Sequence, residues 1–375
     1  MNSKIGLLVM IPGLDGLRAL AFLAVLGRHT DNFRFGWAGV QLFFVLSGFL
    51  ITDILIHMKA VLPHRNFFLK FYGRRFLRIF PLYYFYLSIL VCFTILLPHL
   101  NFKPLQKELG ENFWDQIRYA VSYLYDFYRA GVNSTPSHFF YHLWSLSVEE
   151  HFYIFWPLVI FFTPVDQLRR PFLAIIALGP LLRICVKTLG QVYPSLFGDA
   201  SLAIYVLPFS HVDAFALGAY ISQFEIPHPR LQWIVLLIVV PTLGILSQYL
   251  ATGRIVVGAL GYDIPLYNSY EEIWGYSLLN YFFAVMIVCV VRTGLFIQIL
   301  ENPVLRYLGK ISYGLYVYHT SVIWLLSNLN LPFQSGSTQM YFFALGSTTF
   351  VATLSYYLIE KPINNLKDGF FPIVP

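Results

Sequence analysis

The chain has 375 residues, of which 57% are hydrophobic and 12% charged, and its formal net charge is +6. A soluble domain carries about 25% charged residues, so this chain lacks the charge to cover a water-facing surface, while its 36 Phe, 26 Tyr and 7 Trp exclude disorder. The apolar runs are long and unbroken rather than short and alternating, which excludes an outer-membrane barrel and predicts an all-α integral membrane protein.

At the N-terminus, Ala19-Leu20-Ala21 resembles a signal-peptidase site. The apolar run before it, 7–11, is short, and Asp15 and Arg18 interrupt the stretch after that run. The segment therefore reads as a first span rather than a cleaved leader. Spans are expected near 14–30, 39–57, 79–97, 142–163, 172–188, 201–222, 232–250, 274–291, 311–328 and 339–359, about ten transmembrane helices. Arg183, Lys187, His211 and Asp213 interrupt the fifth and sixth. With the N-terminus inside, most Lys and Arg fall on one side, among them Lys4, Lys59, Arg65, Lys70, Arg74, Arg75, Arg78, Arg169, Arg170 and Lys361. The positive-inside rule then puts both termini in the cytoplasm. It also accounts for the basic net charge without nucleic acid. Two longer segments, near 98–141 and 251–273, are expected outside, the first along the interface. No linker or internal repeat divides the chain, so residues 1–375 read as one transmembrane domain with no appended soluble domain. Cys92, Cys185 and Cys289 lie in apolar runs and read as small buried hydrophobes, not as a disulfide framework.

A charge inside a membrane is costly, so each one is a functional hypothesis. Arg18 and His29 are eleven residues apart in the first span. Eleven helical steps turn about 1100°, within about 20° of three full turns, so the two share a face about 16 Å apart along the axis. Snorkelling of both to the interfaces is the plain alternative. In the second span, Ser47-Gly48 is a small pair that lets a helix or a ligand approach the backbone. The next loop is the most basic in the chain, and Arg75 and Arg78 lie on one helical face before Pro81. Arginines there suit a phosphorylated ligand or anionic lipid. Glu149 and Glu150 open the fourth span and need partners, a histidine or an arginine. His138 and His142 have helical metal-ligand spacing, but no Glu follows His138 as in the zinc-protease motif, and no metal is expected. His319 falls near mid-membrane, where a structural histidine bonded across helices is the plain reading.

Taken together these segments resemble the membrane-bound acyltransferase family 3, over nearly the whole chain and in the family's order. They are Gly13-Leu14-Asp15-Gly16-Leu17-Arg18-Ala19 with the Arg18/His29 pair, Phe43-Phe44-Val45-Leu46-Ser47-Gly48-Phe49-Leu50, Arg75-x-x-Arg78, Trp144-Ser145-Leu146-Ser147-Val148-Glu149-Glu150, and Ser312-Tyr313-Gly314-Leu315-Tyr316 leading to His319. Gln41 departs from the pattern, since many relatives carry Asp there. The resemblance implies an O-acyltransferase of the bacterial cytoplasmic (inner) membrane. It would take cytosolic acyl-CoA, usually acetyl-CoA, and acylate an extracytoplasmic glycan such as lipopolysaccharide, capsule or peptidoglycan, or another hydroxyl acceptor.

On that reading Arg75 and Arg78, with Arg18, are expected to meet the coenzyme A phosphates. Ser47, Tyr316 and His319 are further candidate acyl-CoA contacts. His29 is the expected general base, oriented by Glu149 or Glu150. A transporter or flippase of a glycan or lipid-linked sugar is the competing class, and a non-catalytic membrane subunit or sensor a third.

Overall fold

The structure, a computed structural model, describes residues 11–96, 99, 102–110, 112–264, 266, 270–329, 332 and 334–373. Lys4, the apolar positions 7–10 and parts of both expected external segments lie outside these residues. All regular structure among the described residues is helical.

The long helices are α1 (Leu14–His29), α2 (Ala38–Val61) and α3 (His64–Leu96). Three short helices come next, α4 (Lys103–Gly110), α5 (Phe113–Val121) and α6 (Tyr125–Ala130). Then come α7 (Leu143–Phe162), α8 (Arg169–Val192), α9 (Ala200–Val206), α10 (Val212–Gln223), α11 (Pro229–Thr252) and α12 (Glu271–Thr293). The chain closes with α13 (Ile297–Leu300), α14 (Pro303–Lys310), α15 (Ser312–Asn328), α16 (Thr338–Ser355), α17 (Lys361–Asn365) and α18 (Lys367–Phe370). Six stretches are long and apolar enough to cross a membrane: Arg34–Val61, α3, α8, α11, α12 and Thr338–Phe370. The bent pair of α9 with Pro208–Gln223 would make a seventh. The other three expected spans coincide with α1, α7 and α15. At 16 residues, α1 is only about 24 Å long, and α15 has 17 residues.

The basic stretch expected as a loop before the third span is helical, the first half of α3, and the sixth expected span also differs in form. It is broken by 63° between α9 and Pro208. Proline removes a backbone donor and drives the preceding residue to extended geometry, as seen at Leu207, ψ 142°. Buried side chains then satisfy the freed carbonyls. His211 Nε2 lies 2.9 Å from the Tyr205 oxygen, and Arg183 Nη1 2.5 Å from the Ser210 oxygen. Arg183 is fully buried, with both terminal nitrogens on the Asp213 carboxylate at 3.1 and 2.9 Å. The interrupting charges of the fifth and sixth spans are thus each other's partners, and Lys187 pairs in turn with Glu272.

Helix α1 runs through the middle of the bundle, with Ala19, Ala21, Phe22 and Leu26 fully buried. It packs on α2, α14 and α15. Helix α2 crosses α10 at two glycines: Gly48 lies on the Phe215 backbone and Gly218 on the Val45 carbonyl. The cysteines divide. Cys289 is buried, but Cys92 and Cys185 are exposed, on outward helix faces. An apolar run in a membrane protein has a face for neighbouring helices and a face for lipid, and both residues fall on the second.

The crossing allows a direct check. A Cβ at position 218 would overlap the Val45 carbonyl oxygen. Gly218→Leu is expected to lower thermal stability by at least about 1–3 kcal/mol, the cost of overpacking. Thermal unfolding in detergent measures it, and an unchanged transition would refute the close crossing.

Candidate active site

Two cavities lie on either side of a shared wall. The first has a volume of about 330 Å³ and collects the basic residues: Arg18 from α1, Arg74, Arg75 and Arg78 from α3, and Lys367 from α18. Ser47, Ser145, Glu149, Glu150, Tyr153 and Tyr316 also line it. The second, of about 290 Å³, holds His29, Arg28, Asp31, Arg129, Tyr141 and His142, with Trp37, Trp144 and Tyr205. Val40 and Tyr316 line both and form the wall. Arg18 and His29, the two ends of one helix face, thus open into different cavities.

The basic cavity is held by local bonds. Arg18 Nη1 donates to Asp15, one turn earlier, at 2.6 Å. The Arg75 guanidinium lies over the Tyr153 ring, 5.4 Å from its centre. Ser47 donates to Glu149 Oε1 at 2.5 Å, and the Tyr153 hydroxyl donates to the same oxygen. The chain beyond α16 folds across this cavity. Its π-turn, Tyr356–Glu360, redirects it into α17 and α18. Arg74 Nη1 anchors it, donating to Asp368 at 2.8 Å and to the Phe371 carbonyl at 3.0 Å. Lys367, Asn364 and Ile373 are thereby brought to the cavity lining.

Around His29 the fold gathers imidazoles. The His29 and His319 rings are 5.0 Å apart, and those of His319 and His142 5.3 Å. Backbone carbonyls assign one N–H on each of the two supporting rings. His319 Nδ1 donates to the Tyr316 oxygen at 2.6 Å, and His142 Nε2 to the Val317 oxygen at 3.0 Å. His142 Nδ1 then accepts from Thr320 Oγ1 at 2.8 Å. His29 Nδ1 is hydrogen-bonded to the Tyr141 hydroxyl.

The expected residues therefore separate. Arg18, Arg75, Arg78, Ser47 and Tyr316 do share one cavity. Glu149 and Glu150 stand in that basic cavity and not beside His29, whose Nδ1 is bonded instead to the Tyr141 hydroxyl. The reason is helical: Glu149 lies on the face of α7 toward Ser47, where that hydroxyl and Tyr153 hold it. His319 lines neither cavity. It is fully buried, its ring packed against that of His29, and so is not presented to either cavity as the expected acyl-CoA contact would be. His138 and His142, four apart, diverge: His138 bonds Glu108 at 2.9 Å. Tyr141 and Arg129 escape sequence reasoning because they sit in the turn before α7 and in a one-and-a-half-turn helix, where no periodicity marks a face. Gln41 is fully buried and its Nε2 lies 3.2 Å from His211 Nδ1. With His211 Nε2 donating to Tyr205, Nδ1 is an acceptor, which an amide donor suits and a carboxylate does not.

Among known proteins, a family model described as an acyltransferase domain (acyltransferase 3) matches residues 11–357. The chain belongs to that family. Its relatives include the O-acetyltransferase OatA of Staphylococcus aureus strains NCTC 8325 / PS 47, COL and MRSA252. Each is 29% identical over 372 residues, covering 96% of this chain. The chain spans 58% of the length of each of these relatives. No solved structure matches at a comparable level.

Outside the spans, one pair near the site is titratable. The Glu108 carboxylate bonded to its ring raises the His138 imidazole above its ordinary value, despite partial burial. Burial pushes Glu108 up, but the bonds from the His138 ring and backbone outweigh it and hold the carboxyl below its usual range. The pair is doubly charged between these two values. The histidine's contribution to stability is complete below its unfolded value, about 6.5, and fades as pH rises through the higher folded value. The glutamate's is complete above about 4.3 and is lost as pH falls through the lower folded value. Histidine NMR of Glu108→Gln should show the His138 titration moving down toward about 6.5. A curve that stays where it is in the wild type would refute the pairing.

Proposed function

We propose that the chain is a membrane O-acetyltransferase that moves an acetyl group from acetyl-CoA to a hydroxyl of a glycan on the far side of the bacterial cytoplasmic membrane. The observation that carries this reading is the pair of cavities, basic at one end and histidine-lined at the other, that meet at Val40 and Tyr316. Family membership and the OatA relatives support it. In this reading α1, α7 and α15 complete ten spans, and the basic cavity with both termini faces the cytoplasm.

Arg75 and Arg78, with Arg18, bind the coenzyme A phosphates by charge-assisted bonds. The pantetheine arm runs along the first cavity, past Ser47, toward Tyr316. The thioester then stands at the wall and the acceptor hydroxyl in the second cavity. Tyr141 accepts from His29 Nδ1–H, which leaves Nε2 unprotonated as the base. Nε2 takes the proton of the acceptor hydroxyl as its oxygen bonds to the carbonyl carbon. The C–S bond breaks and the imidazolium returns the proton to the departing thiolate. The products are the acetyl ester and free coenzyme A, with no covalent enzyme intermediate.

Protein in liposomes with labelled acetyl-CoA tests this. Wild type is expected to release coenzyme A and transfer label to a glycan acceptor, and His29→Ala to lose turnover by at least about 100-fold. Wild-type turnover in His29→Ala at equal expression would sink the base assignment. Arg75→Ala and Arg78→Ala should chiefly raise the KM for acetyl-CoA. A rise confined to the acceptor's KM would argue against phosphate binding.

Tyr141 is a positioning residue in this scheme. Tyr141→Phe should lower kcat roughly tenfold, leave the KM for acetyl-CoA unchanged and shift the pH profile of kcat. An unshifted profile with unchanged kcat would show that the phenol does not act through His29.

A further inference from the structure

The second cavity carries more positive charge than proton transfer needs. Arg129 comes from the last turn of α6 and Arg28 from the last turn of α1, and both line it with His29. None of the ion pairs among the described residues includes Arg129. Its Nε is buried and has no hydrogen-bond partner among those residues. Arg28 is little better served. Its Nη1 stands 3.9 Å from Asp31 Oδ1, outside hydrogen-bond distance. The other oxygen of Asp31 accepts from Ser335 at 2.9 Å, and that carboxylate is mostly exposed. No hydrogen bond among the described residues engages the terminal nitrogens of Arg129 either, and a guanidinium on a cavity wall without an acceptor is an unmet charge that a bound anion would satisfy. The remaining walls are largely aromatic: Trp37, Trp144, Tyr205 and Tyr141. At about 290 Å³ the cavity lies at the small end of ligand pockets, room for one residue-sized group rather than an extended chain.

We propose that this cavity is an acceptor subsite for an acidic sugar residue. Arg129 and Arg28 hold its carboxylate or phosphate while its hydroxyl meets His29. The proposal rests on the acyltransfer reading for the role of His29, but the anion site itself does not. The arginines also select: a neutral sugar offers only hydroxyl acceptors and no countercharge, so acidic acceptors bind and react in preference to neutral ones.

The test uses the full chain in nanodiscs and three probes that share one ring: methyl glucoside, methyl glucuronide and glucose 6-phosphate. Binding is read by saturation-transfer NMR. One or both acidic probes should bind roughly tenfold more tightly than the glucoside, and the stronger of them identifies carboxylate or phosphate as the recognised group. Arg129→Gln should abolish that preference, Arg28→Gln should weaken it, and Arg129→Lys should restore part of it. Equal binding of all three probes, no binding of any, or an acidic preference intact in both Gln variants would overturn the proposal. Acetyl-CoA turnover on the same samples is scored separately. Turnover without an acidic preference removes this subsite and leaves the acyltransfer reading standing. An acidic preference without turnover leaves the anion site and removes the acyltransfer reading.

Discussion

Everything chemical in this molecule is spaced by the rigidity of one helix. Arg18 and His29 lie on α1, eleven residues apart on one face. A helix cannot stretch, so about 16 Å separates the end in the basic cavity from the end in the histidine-lined one. The surrounding bundle serves to keep this rod upright. Its core side is made of leucines, alanines, glycines, one valine and one phenylalanine, all buried. Gly16 rests on the Leu300 backbone, and Gly309 of α14 on that of Asp15. Such contacts hold the rod in register without room to slide.

The spacing of Arg18 and His29 could be read from periodicity alone, because both are on a regular helix. So could the grouping of Arg75 and Arg78, and the six stretches long and apolar enough to cross a membrane. The remaining contents of the cavities were not legible. Periodicity says which residues of one helix share a face, but not which face of another helix they will meet. Glu149 shows this: its neighbour Ser47 is 102 positions away in the chain. Tyr141 shows the second limit. It lies in irregular backbone, whose direction is set by the packing of His142 against α15. The bend at Pro208 is absent from the reading of the sequence, where the charges near it only interrupt a span. They are the bonds that stabilise the bend in a low-dielectric interior: Arg183 caps a freed carbonyl and Asp213 neutralises it.

The C-terminal stretch adds a third element. Lys367 and Ile373 reach the basic cavity only because the π-turn after α16 redirects the chain and Arg74 fastens it. A helix that simply continued would leave that cavity open on one side. Arg74 is therefore committed to structure, while Arg75 and Arg78, its neighbours in sequence, remain available to a ligand.

Tyr316 is also a partition. It lines both cavities, and its hydroxyl is 2.5 Å from Ser145 Oγ. A continuous aqueous passage through a membrane-spanning bundle would leak ions across the membrane. A phenol locked to a serine, beside the apolar Val40, interrupts any file of water between the two chambers. In the proposed reaction only a two-carbon fragment is passed over this barrier, bonded throughout to sulfur or to oxygen. The membrane would then stay electrically tight while the chemistry on its two faces is joined.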